Sequence, residues 1–225
     1  MWLINSSVGR KLVMSISGLF LILFVTFHMA MNLVAVISED GYDAVCEFLG
    51  ANWYALVATA VLAAGFIVHI VYAFILTAQN RRARGNESYA VTVKPKSVEW
   101  ASQNMLVLGL IVILFFAIHL TQFWAEMQLP ELLGKTPESG VDLIKETFSN
   151  PLMVVLYLVW FVAIWFHLTH GFWSALQTVG FSNKVWFNRW KLIGNVWATI
   201  VLIGFAVTAI YFYAISLCGG ATCGL

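Results

Sequence analysis

Apolar residues dominate five long stretches of the chain, near residues 11–37, 53–79, 101–126, 151–180 and 190–217. Polar segments separate them: SEDGYD, RRARGNESYAVTVKPK, PELLGKTPESGVDLIKETFSN and FSNKVWFNR. A bilayer crossing takes roughly 20 residues at 1.5 Å each, and every stretch is long enough. The pattern predicts an all-α integral membrane bundle of five transmembrane helices, forming one domain over residues 1–225. Asn150 suits an N-cap, and Pro151 suits the first helical turn after it. Segments 41–50 and 139–149 are expected as short interfacial helices. No internal repeat or low-complexity tract is visible. The opening MWLINSSVGRK looks like the start of a signal peptide. The apolar run behind it is too long for an h-region, and no small-residue cleavage site ends it, so a retained first span is expected.

Composition points the same way. Of 225 residues, 61% are hydrophobic and 10% charged, against about 45–50% and about 25% in a soluble domain. An ordinary soluble enzyme, a disordered chain and a disulfide scaffold are excluded. The net charge of +1 gives no field that would attract nucleic acid. Its distribution is more telling. Arg10, Lys11, Arg81, Arg82, Arg84, Lys94, Lys96, Lys184, Arg189 and Lys191 fall on one side of the predicted topology; only Lys135 and Lys145 fall on the other. The positive-inside rule then places the N-terminus in the cytoplasm and the C-terminus outside. Trp53, Tyr54, Trp100, Trp124, Trp186 and Trp190 lie near span ends, as an interfacial aromatic belt would. Cys46, Cys218 and Cys223 have no metal-like spacing, and a Cys218–Cys223 pair and free thiols are equally compatible with the sequence.

All five histidines, His28, His69, His119, His167 and His170, fall inside predicted spans. Ionisable groups at that depth are costly and usually functional, although a single one is as often a packed residue bonded to its neighbour. Depth sorts them. His28 lies about 25 Å above Lys11, and His119 about 10 Å below Glu126, both in the outer half. His69 and His167 lie in the inner half of spans that run the other way. Two histidines from different helices at one depth are what bis-histidine haem ligation requires. A non-haem metal would want carboxylates or further histidines nearby, and the span interiors lack acids. Gly65 lies four residues before His69 and Gly171 four after His167, on the same helix faces, where a porphyrin needs room. Helix–helix packing is the ordinary reading of such glycines. His170 is the surplus histidine, three residues from His167, and either could be the ligand. The flanks of His170, Phe166 and Ser174, are less open, so His167 is preferred and a propionate or a neighbouring helix is the expected partner of His170.

The motifs FHMAMN around His28, VHIVYAF around His69, AIHLTQFW around His119 and FHLTHGFWS from Phe166 resemble one family along essentially the whole chain. This is the single-polypeptide dihaem cytochrome b anchor of succinate:quinone oxidoreductases, the succinate dehydrogenases and fumarate reductases. SGLF at residues 17–20 resembles its first helix. The resemblance implies that His69 and His167 hold an inner haem b, and His28 and His119 an outer one. The glycine after His167 selects it over His170. It also implies a flavoprotein and an iron–sulfur subunit on the cytoplasmic face of a bacterial inner membrane. Electrons then pass to a quinone, typically menaquinone, and the complex can dimerise. The residues polar enough to meet haem propionates are Arg10, Lys11, Ser15 and Gln103, with His170. Glu47 is the nearest candidate for a quinone proton partner near the outer haem; its plain alternative is one of several acids in an external loop. The chain departs from some relatives at Trp165, where they carry a glutamate associated with proton transfer. A five-span cytochrome b with ligands on its second and fifth helices is disfavoured, because the fifth span has no histidine. A haem-free transporter or structural anchor would give no reason for paired depths, and the spans read as continuous.

Overall fold

The computed structural model describes residues 6–50, 53–84 and 99–218, all of them helix, turn or short connection. Helix α1 (Ser7–Ile37) starts where the Ser6 hydroxyl accepts from the Gly9 amide at 2.9 Å. It stops at Ser38, whose hydroxyl accepts from the Gly41 amide and opens α2 (Glu39–Gly50). Helix α3 (Trp53–Arg84) runs back. A single turn, α4 (Trp100–Gln103), leads into α5 (Met105–His119). A π-helical segment, Leu120–Trp124, joins α5 to α6 (Ala125–Leu132). Helix α7 (Gly140–Ser149) comes next, with Ser139 as its N-cap. Helix α8 (Pro151–Thr178) is capped by the Asn150 side chain, which accepts from the Leu152 amide at 2.9 Å. Helix α9 (Trp186–Leu217) completes the bundle.

Among the described residues, five helices are long and apolar enough to cross a membrane: α1, α3, the α5–α6 unit, α8 and α9. The chain is an all-α, multi-pass membrane protein. Span ends differ from the sequence reading where side-chain caps intervene. α1 begins earlier because Ser6 caps it. α9 begins at Trp186 because the Asn183 carboxamide oxygen accepts from the amides of Val185 and Trp186. α8 ends at Thr178 because Gly180 adopts φ +94°, a conformation other residues rarely take.

The third span is not the continuous helix expected. Asn104 breaks it near the start, its side-chain nitrogen donating to the Trp100 carbonyl at 2.8 Å. Directly after His119 the helix widens into its π segment, where the Thr121 hydroxyl donates to the Ile118 carbonyl at 2.7 Å and competes with the backbone ladder.

In lipid, apolar side chains gain little from leaving one hydrocarbon medium for another, so close backbone approach and hydrogen bonds carry the packing. Small residues of α9 allow it: Ala198 and Ala209 are wholly buried, Gly194 faces the Phe172 ring and Gly204 faces Met29. Trp197 Nε1 donates to Thr26 at 3.1 Å, and Trp165 Nε1 to Thr199 at 3.0 Å. α1, α8 and α9 pack together, α3 lies against α1 and α5 against α8, while α3 and α5 barely approach each other. Val57, Val61, Ile67 and Val71 of α3 point outward, as lipid-facing residues do.

Helices α2 and α7 cap one end of the bundle. Asp43 accepts from the Ser139 hydroxyl and the Val141 amide at 2.9 and 3.1 Å, and Lys145 pairs with Glu39 at 2.6 Å. Tyr42, Val141, Ile144 and Phe148 extend the apolar core of α8 and α9 into this cap. Burial raises the Tyr42 hydroxyl above its ordinary range and pushes the free thiol of Cys46 up to about 11. Cys218 is disulfide-bonded, and Cys223 lies outside the described residues.

Candidate functional site

His28 of α1 and His119, the last residue of α5, face each other with ring centres 5.8 Å apart and planes at 79°. His69 of α3 and His167 of α8 form a second pair, 6.3 Å apart and at 68°. None of the four is exposed. A side chain at Gly18 would touch His69, and one at Gly109 would touch His167. Gly18 precedes His28 by ten residues, as Gly109 precedes His119, which sets the two pairs about 15 Å apart along the bundle. Depth counting from the sequence pairs the same residues.

Each pair contains one ring anchored through Nδ1. Ser17 donates to the Met14 carbonyl at 3.0 Å and meets His69 Nδ1 at 3.3 Å. Tyr157 meets His119 Nδ1 at 3.4 Å. His28 stacks on Phe24 at 5.4 Å and lies against Phe205. His167 has a buried Nδ1 without a hydrogen-bond partner. Between the layers, Phe66 and Phe116 stack at 4.5 Å across the gap between α3 and α5.

The donor set suits one metal centre per pair. Two imidazoles on opposite faces of one ion, each bound at about 2 Å, have ring centres about 6 Å apart. Both pairs have that spacing. Ligating histidines also tend to donate their second N–H to a neighbouring group, as His69 and His119 are placed to do. Space is uneven around them. Gly171 faces open space beside His167, whereas the space over Gly65 is filled by the Phe20 ring. The expectation of room at both glycines is therefore not met at Gly65.

His170 stands outside both pairs. Its ring meets Trp173 edge-on at 4.9 Å, and its Nδ1 is buried and unpartnered. Close by, Lys191 pairs with Glu99 at 2.8 Å and lies over Trp173 at 4.7 Å. Arg10 donates to the Gln79 carboxamide oxygen at 3.0 and 3.2 Å once that amide is oriented to accept. Lys11 and Gln103 are exposed, and Ser15 is buried in α1 two residues before Ser17. These groups share the bundle end away from the cap. Glu47 is exposed on α2 at the capped end, the end toward which His28 and His119 lie.

Sequence reasoning missed Ser17, Tyr157 and Gln122 as neighbours of the histidines. Gln122 accepts from the Tyr157 hydroxyl at 2.6 Å and also lines a cleft of about 560 Å³ at the capped end, with Glu126, Glu138, Asp142 and Glu146. The one available signal was an uncommon polar group, Gln122, just beyond His119 in a span. No family model, curated protein or solved structure matches this chain in sequence or fold comparisons.

Proposed function

We propose that the chain is a dihaem cytochrome b that anchors a succinate dehydrogenase or fumarate reductase complex in a bacterial cytoplasmic membrane. It would pass electrons between an iron–sulfur subunit and membrane menaquinone, with a flavoprotein subunit carrying the succinate/fumarate chemistry. The observation that carries the reading is the presence of two histidine pairs, each from two different helices and each with ring centres near 6 Å. A haem in each pair supplies one-electron transfer when bound.

His69 and His167 hold the inner haem, and His28 and His119 the outer. The polypeptide positions the imidazoles, keeps water away and spaces the centres. Arg10, Lys11, Ser15, Gln103 and His170, at the end away from the cap, are the groups available to propionates. In this reading that end is cytoplasmic, as the Lys/Arg distribution suggests. A quinol oxidised near the outer pair releases two electrons and two protons. The protons need an acceptor, and Glu47, exposed at the capped end, is the one we assign.

Single histidine variants test the proposal. His69→Ala or His167→Ala should remove the inner haem, and His28→Ala or His119→Ala the outer, as read by haem content and visible spectra of purified protein. Glu47→Gln in the same set should abolish quinol-dependent activity with both haems bound. Retention of both haems in all four histidine variants would remove the assignment.

A further inference from the structure

We propose that Tyr157, held by Gln122, is a positioning residue that decides which ring nitrogen of His119 carries the proton. The inference rests on the dihaem reading and deepens it. Tyr157 has one hydroxyl proton. It lies 2.6 Å from Gln122 Oε1, a carbonyl oxygen that only accepts. The amide is oriented from its other side: Gln122 Nε2 lies 3.5 Å from the thioether sulfur of Met153, which has no proton to give. The Tyr157 proton is therefore committed to Gln122. Its oxygen is left to accept, and His119 Nδ1 is 3.4 Å away. Nδ1 is then the protonated nitrogen, and Nε2 keeps its lone pair.

Packing holds the arrangement. Tyr157 is 4% exposed, with Phe148, Trp160 and Phe161 around its ring. The three residues come from α8, from the end of α5 and from the π segment just after it, so the chain of bonds fixes the ring of His119 against the neighbouring span. A histidine that donates through one nitrogen is a stronger donor through the other. Stronger donation favours the oxidised metal, so Tyr157 holds the outer potential down. The inner pair has a separate device in Ser17, whose proton goes to the Met14 carbonyl and whose oxygen faces His69 Nδ1. That independence supplies a control.

The test is a redox titration, with haem content and low-spin electron paramagnetic resonance, on wild-type, Tyr157→Phe, Gln122→Leu and Ser17→Ala protein. In Tyr157→Phe both haems are expected, with the outer potential raised, its ferric signal shifted and the inner haem unchanged. Gln122→Leu should move the outer potential the same way by less, because Tyr157 remains as an acceptor. Ser17→Ala should move only the inner one. Where Tyr157→Phe fails to accumulate, Gln122→Leu decides. An unmoved outer potential with both haems present overturns the role of Tyr157 and leaves the dihaem reading intact. Equal shifts of both potentials overturn it too, since they report a general change in packing. Wild-type protein without haem overturns the dihaem reading itself, and this inference with it.

Discussion

A histidine in a membrane interior must find a partner or a ligand, and the five here divide by that criterion. Four meet in pairs, and His170 meets Trp173. If His170 is no ligand, His170→Ala keeps two low-spin haems and changes at most one potential slightly; losing a haem in this variant, while His167→Ala keeps it, would exchange the two roles. The paired positions were legible because depth along a helix follows from residue count alone. Their hydrogen-bond partners were not. Ser17 and His69 are 52 residues apart, and His119 and Tyr157 are 38. Whether such residues touch depends on how each helix is rotated about its axis, and a span apolar on all sides carries no stripe to fix that rotation. Gly65 shows the same limit: its spacing to His69 is right, but the Phe20 ring comes from another helix.

At the level of elements, the span count, the Asn150–Pro151 start and the two capping helices were legible in the sequence. The π segment was not, because Thr121 and Gln122 mark a polar break in the apolar run without showing that the backbone ladder widens there. A π turn holds one more residue than an α turn, and the segment takes up that residue between α5 and α6. Past this turn, Gln128 accepts from Thr59 of α3 at 2.9 Å. Deleting Thr121 should restore an α turn, carry Gln122 away from Tyr157, and leave His119 in register with α8 and Gln128 in register with Thr59. The expected outcome is an altered outer-haem spectrum and lower thermal stability at nearly unchanged helix content by circular dichroism. An unaltered outer-haem spectrum would mean that the π segment has no part in setting the His119 surroundings.

The whole molecule has two unlike ends. One gathers Arg10, Glu99 and Lys191 around span termini. The other is closed by α2 and α7, with the acid-lined cleft beside the π segment and Glu47 exposed on α2. The histidine pairs lie in line between these ends, one above the other. A bundle that only anchored a partner would gain nothing from two costly pairs at matched depths, so the central claim is that each pair holds an iron porphyrin. Counting haem b by extraction from the purified, folded chain, alongside its low-spin signature, tests this most directly. The account predicts two haems per chain, each with two axial imidazoles; one haem, none, or a high-spin centre would contradict it.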